Sequence, residues 1–187
     1  MKLYLATSNP GKVREFSHLD VELLPGIEAL PIAPETGDTF EANAIQKAIY
    51  YGPHADSWLI AEDSGLEVDA LGGAPGVYSA RWAGNDADNN ARLVSEMAHQ
   101  TVRAARYVCV IALVDREKIL ATFRGTVEGE ILQEPRGEGG FGYDPYFLYP
   151  PFQATFAEIS TDRKSSISHR GQAIEKLSAW LRENAST

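Results

Sequence analysis

Glu62 and Asp63 are adjacent carboxylates followed directly by Ser64 and Gly65. Two neighbouring acids beside a hydroxyl and a glycine suit a divalent cation and a phosphate. Hard cations take oxygen ligands, and Mg²⁺ uses one or two carboxylates together with substrate phosphates. Asp-Ser-Gly is also ordinary turn chemistry, so the other reactive residues have to decide between the two readings. Lys12 closes a polar segment, Thr7-Ser8-Asn9-Pro10-Gly11-Lys12, which lies ahead of a helix. Exposed backbone N–H groups at a helix start favour anions, and Lys12 adds a positive charge there. The GxxxxGK[ST] spacing of a Walker A loop is absent. A second glycine-rich loop, Gly137 to Pro145, carries Phe141 and Tyr143. Its aromatic rings could stack on a base or plug the core.

The elements that position these residues follow from periodicity. Leu3 to Ala6 reads as a first strand and Val13 to Leu19 as a helix, with a short strand over Val21 to Leu24. Asp38 and Glu41 have the spacing of a capping box. The helix they open runs to about Tyr51 and stops at Gly52-Pro53, with Lys47 on it. Trp58 to Ala61 is a short apolar run and reads as a buried strand, which puts Glu62-Asp63 where that strand leaves the core. Asp86 to Gln100 is amphipathic, with Leu93, Val94 and Met97 on the apolar stripe. Ala105 to Val114 and Lys118 to Val127 read as a hairpin turning at Asp115-Arg116-Glu117, and Glu128 to Leu132 extends its sheet. Tyr146 to Tyr149 is a short strand. Thr161 to Ser168 is polar and carries Lys164. Ser168-His169-Arg170-Gly171 leads into a last helix from Gln172 to about Asn184, with Ile174, Leu177 and Leu181 inward. The pattern is α/β with a mixed central sheet flanked by helices.

The 187 residues suffice for one domain spanning the whole chain. A net charge of −9 argues against a broad nucleic-acid or membrane footprint, though a local group of lysines can still hold a phosphate-bearing small molecule. The one cysteine, Cys109, lies in an apolar run and reads as a small core residue. The N-terminal apolar run is too short for a signal peptide, and no stretch approaches membrane-spanning length. These features read as a soluble protein of a reducing, cytoplasmic compartment.

Five blocks in this order resemble the noncanonical purine nucleoside triphosphate pyrophosphatases (ITP/XTP pyrophosphatases). They are Thr7 to Lys12; Glu35 to Phe40 with Asn43, Ala44 and Lys47; Glu62 to Arg81; Gly139 to Pro145; and Ser168-His169-Arg170. The resemblance covers nearly the whole chain. It implies a two-lobed fold with an active-site cleft between the lobes and a homodimer. It also implies Mg²⁺-dependent cleavage of ITP, dITP or XTP between the α and β phosphates, giving the monophosphate and pyrophosphate. Such an enzyme keeps deaminated purines out of DNA and RNA.

Matched residue by residue, Asp63 is the expected general base and a metal contact, with Glu35 and Glu62 as further metal-site acids. Thr7, Ser8, Asn9, Pro10, Gly11 and Lys12 match the triphosphate loop, and Lys47, Ser64 and Lys164 match further substrate contacts. Phe141, Gly142, Tyr143 and Asp144, with His169 and Arg170, match the nucleoside end. A 6-oxo purine shows an acceptor where adenine shows a donor, so Arg170, which only donates, is the expected reader of the base edge. The chain departs from the family pattern at Glu62, where many relatives carry Asp, and at Ala42, where many carry an acid. Competing readings are a different phosphate-cleaving enzyme, which orthophosphate as product would reveal, and a nucleotide-binding module without turnover.

Overall fold

The computed structural model describes residues 2–184. Seven strands form one mixed sheet: β1 Leu3–Leu5, β2 Glu22–Leu23, β3 Trp58–Val68, β4 Ala104–Asp115, β5 Lys118–Ile131, β6 Phe147–Tyr149 and β7 Ala154–Thr155, in the order β2-β1-β3-β4-β5-β6-β7. β1 pairs in parallel with both β2 and β3, whereas β5, β6 and β7 pair antiparallel. Five α-helices accompany the sheet: α1 Pro10–Glu15, α2 Phe40–Tyr51, α3 Asp86–Met97, α4 Thr161–Ser165 and α5 His169–Asn184. The expected mixed α/β architecture is present.

The chain divides into two compact units. The first takes in the chain up to Asp63, Cys109–Gly125 and the chain from Arg170; the second takes in Ser64–Val108 and Thr126–His169. Each has its own apolar core. In the first unit Leu3, Leu5, Phe16, Ile60, Ile111, Leu113 and Leu177 pack together, with Cys109 among them. In the second, Leu66, Leu93, Met97, Tyr107, Tyr143, Phe147 and Phe156 do so.

Several local expectations are corrected. β3 does not end at Ala61 but runs on through Glu62, Asp63, Ser64 and Gly65 to Val68. The acids therefore sit in mid-strand, because pairing with neighbours overrides the poor strand propensity of Glu-Asp-Ser-Gly. α1 begins at Pro10 rather than Val13; Asn9 caps it and Pro10, which has no N–H to lose, takes a first-turn position. Thr39, not Asp38, caps α2, accepting a hydrogen bond from the Ala42 N–H. Glu41 is therefore no part of a capping box and instead accepts from the Thr122 hydroxyl at 2.7 Å. α5 starts at His169, so His169 and Arg170 belong to its first turn instead of preceding it.

The stop of α2 at Gly52 and the hairpin turn at Arg116-Glu117 occur where the sequence places them. They also meet, since a Cβ on Gly52 would collide with the Arg116 carbonyl. Gly52→Ala is therefore expected to cost about 1–3 kcal/mol through overpacking. Thermal unfolding should shift down by several degrees, at roughly 2–4 °C per kcal/mol. An unchanged midpoint would show that the turn yields freely.

Candidate active site

The charged centre of the first unit is built on β3, α1, α2 and α5. Asp63 is held on both oxygens: Lys47 Nζ donates to Oδ1 at 2.8 Å, and Asn43 Nδ2 donates to Oδ2 at 3.2 Å. Asn43 and Lys47 stand four residues apart on α2, so one helix face presents both donors to one carboxylate. The Lys47 ammonium also donates to Glu35 Oε1 at 2.6 Å. One cation thus serves two carboxylates. Burial works to lower the Lys47 pKa, but Asp63, Glu62 and Glu35 outweigh it and hold the group above its ordinary value. Burial raises the Asp63 carboxyl above its ordinary value, against the pull of Lys47 and Lys12.

Glu62 belongs to a second, adjoining cluster. Lys12 Nζ lies 2.6 Å from its Oε1 and Arg170 Nη2 lies 3.5 Å from its Oε2. The Cys109 thiol donates to the same Oε2 at 3.4 Å, and burial, then the Glu62 charge, keep that thiol protonated by pushing its pKa well up. Burial alone would favour the neutral Glu62 acid. Lys12, Arg170 and Lys47 together overturn that and hold its carboxyl far below the ordinary range. Arg170 is 1% exposed and donates through Nη1 to Glu15, which is itself buried. Two buried carboxylates thus engage the guanidinium of Arg170, the expected reader of the base edge.

The Thr7–Lys12 segment differs from expectation in one respect. Asn9 Oδ1 accepts from the Gly11 N–H at 2.8 Å and from the Lys12 N–H at 3.2 Å, so the cap takes two N–H groups expected to face an anion. Thr7 Oγ1 accepts from the Asn9 N–H at 3.2 Å, while Ser8, Asn9 and Pro10 lie at the surface.

The second unit holds the remaining predicted residues. Lys164, on α4, is buried and donates to Asp144 Oδ2 at 2.6 Å; its ammonium lies 4.9 Å from the Phe141 ring centroid. The same Asp144 oxygen accepts from the Phe141 N–H at 2.9 Å. Tyr143 is a core plug rather than an offered ring, 4% exposed, with its hydroxyl donating to the Ser79 carbonyl at 2.7 Å. His169 is buried and stacks on Tyr107 with centroids 4.8 Å apart and planes 10° from parallel. Ser64 is half-buried on β3.

Glu35 and Asp63 fit a Mg²⁺ ion that keeps waters and takes substrate phosphates, because both already flank one positive charge and offer hard oxygens. Glu62 is turned toward Lys12, Arg170 and Cys109. Among the described residues no group of three or more His, Cys, Asp or Glu side chains is placed to hold a metal alone. Such a site would need the substrate's own oxygens. Glu15, which no motif marks, and Asn43, which belongs to one of the five blocks without a stated role, both carry parts of the site. Their signal was helical spacing: Glu15 is three residues from Lys12, and Asn43 four from Lys47.

A mixed sheet carrying buried acid–lysine pairs on an inner strand defines an α/β protein with the fixed charges that phosphoryl-handling enzymes require. The chain belongs to the Ham1 family, whose family model matches residues 3–180. It is 48% identical over 190 residues to the dITP/XTP pyrophosphatase of an Exiguobacterium species, covering 97% of each chain. The Staphylococcus aureus Ham1 protein superposes with a TM-score of 0.88 at 39% identity, covering 98% of this chain and 99% of that one. A HAM1 protein from Coxiella burnetii gives the same TM-score, 0.88, at 41% identity and the same coverage.

Proposed function

We propose that the protein hydrolyses noncanonical purine nucleoside triphosphates (dITP, ITP and XTP) to the monophosphate and pyrophosphate, with Mg²⁺ as cofactor. The observation that carries this reading is a buried Asp63 shared with Lys47 and Asn43, in a chain similar over its full length to dITP/XTP pyrophosphatases. When bound at Glu35 and Asp63, the metal would neutralise phosphate charge and acidify the attacking water.

The chain's own residues do the rest. Asp63 orients the water and accepts its proton as the bridge between the α and β phosphates opens. Lys12 and Lys47 supply positive charge to the triphosphate, with Ser64 and the Thr7–Lys12 segment as further phosphate contacts. Glu62 keeps the Lys12 ammonium in place. Phe141, Gly142 and Asp144, with His169 and Arg170, are assigned the nucleoside end, where the Phe141 ring offers a stacking face; Lys164 is a further substrate contact beside them. Tyr143 anchors that loop. The reading places the enzyme in the cytoplasm as a homodimer, with Tyr78, 57% exposed, as a candidate interface residue that sedimentation of a Tyr78→Glu variant would test. Among the described residues no helix is long and apolar enough to cross a membrane.

The deciding experiment offers dITP, XTP, dGTP and dATP with Mg²⁺ and resolves pyrophosphate from orthophosphate. Pyrophosphate from dITP and XTP, with far slower turnover of dATP and dGTP, is expected. Orthophosphate as product would overturn the reaction, and equal rates on all four would overturn the substrate class.

A further inference from the structure

The loop from Phe141 to Asp144 is held by side chains that lie more than fifty residues away in sequence. Both peptide groups of Gly142 are taken by α3. Asp86 Oδ2 accepts from the Gly142 N–H at 3.0 Å, and Asn90 Nδ2 donates to the Gly142 carbonyl at 2.9 Å. Asp86 and Asn90 stand four residues apart, so one face of α3 presents an acceptor and a donor in register with the N–H and C=O of a single residue. Gly142 has φ +61°, with no atom within 4 Å of a Cβ placed there. A flexible residue in the left-handed region is thereby fixed by contacts rather than by its own preference.

The residues around it are tied as firmly. The Phe141 N–H goes to Asp144, the Asp144 N–H to the Phe141 carbonyl at 3.3 Å, and the Tyr143 hydroxyl to Ser79. Asn89, next to Asn90 on α3, donates to the same Ser79 carbonyl at 3.3 Å. The Ser79 hydroxyl in turn accepts from the Leu66 N–H at 2.9 Å. The loop is therefore locked before any ligand arrives, and Phe141 is the aromatic it leaves half-buried.

We propose that Asp86 and Asn90 are positioning residues for the purine end of the substrate: they lock Gly142 so that Phe141 and Asp144 meet the base already ordered. The inference rests on the assignment of this loop to the nucleoside. A pre-ordered surface binds without the cost of immobilising a loop, so releasing the lock acts on base binding and leaves phosphate binding alone.

The test compares Asp86→Ala, Asn90→Ala, Asp86→Asn and Phe141→Ala on dITP, and measures inhibition by inorganic tripolyphosphate, which has no base. A hydrogen bond to a charged acceptor is worth about 1.5–3 kcal/mol, so Asp86→Ala should raise KM for dITP about 10-fold or more. Asn90→Ala loses a neutral bond and should raise it by a few-fold. In both, kcat should stay within about twofold and the tripolyphosphate inhibition constant should not move. Exchange of the Gly142 amide hydrogen should quicken in Asp86→Ala. Asp86→Asn, which keeps an acceptor oxygen but not its charge, should restore KM in part, to within a few-fold of the parent. If Phe141→Ala raises KM while both alanine variants on α3 leave it unchanged, the positioning role is wrong. The same holds if tripolyphosphate inhibition weakens as much as dITP binding. If Phe141→Ala leaves KM unchanged, the assignment of the loop to the base fails, and the inference with it.

Discussion

Asp63→Asn is expected to lower kcat by roughly 10²–10⁴-fold while the protein stays folded, if Asp63 is the general base. The substitution keeps the shape of the side chain but removes the ability to accept a proton from water. It also turns one amide N–H₂ toward a donor, because Lys47 and Asn43 between them address both carboxylate oxygens. Burial already raises the Asp63 carboxyl above its ordinary value. A base must be deprotonated to work, so kcat should fall as pH drops through the Asp63 pKa. A pH profile of kcat and a thermal melt of the variant check this together. Turnover within about fivefold of the parent, in a folded Asp63→Asn protein, would remove the assignment.

Glu62→Gln has the second large effect, on stability. Glu62, Arg170 and Glu15 are all buried, and Lys12 completes the cluster from the side of α1. Removing one member of a buried ion pair leaves uncompensated charge and costs about 3–5 kcal/mol at neutral pH. For a chain of this size that lowers the unfolding midpoint by roughly 10 °C. The pH dependence has a definite sign. The folded-state pKa of Glu62 lies far below its ordinary 4.5, so the unfolded chain protonates first as pH falls. Its stabilisation is complete above about pH 4.5 and declines below it, by roughly 1.4 kcal/mol per pH unit. The gap between parent and Glu62→Gln should therefore be wide at pH 7 and narrower at pH 3. A gap of the same size at both would show that Glu62 acts by packing and not by charge.

These two expectations also separate the roles of adjacent acids. Asp63 shares its lysine with Glu35, while Glu62 is committed to Lys12 and Arg170. Neighbours on a strand point to opposite faces, so the two acids take different hydrogen-bond partners, though each still feels the other's lysine. The resemblance groups Glu62 with Glu35 and Asp63 as metal-site acids; in the structure Glu62 faces Lys12 and Arg170 while the other two share Lys47.

Much of this protein was determined by local chemistry alone. The stop of α2 at Gly52-Pro53, the hairpin turn at Arg116-Glu117, the apolar stripe of α3 and the burial of Cys109 each depend on a few neighbouring residues, and each is present. The site residues were legible through the resemblance of five blocks, since residue type alone does not mark them among 26 acidic and 17 basic side chains. Tertiary structure decided the rest. β3 continues through Glu-Asp-Ser-Gly, past the end of its pairing with β1 at Ile60, beside β4 in the sheet, whose pairing makes up for what propensity lacks. Arg170 meets Glu15 across 155 residues of chain, and Gly142 meets Asp86 across 56. Such partners follow from the path of the chain in space. No window of sequence contains both members, and a buried charge takes whichever counter-charge the fold brings to it.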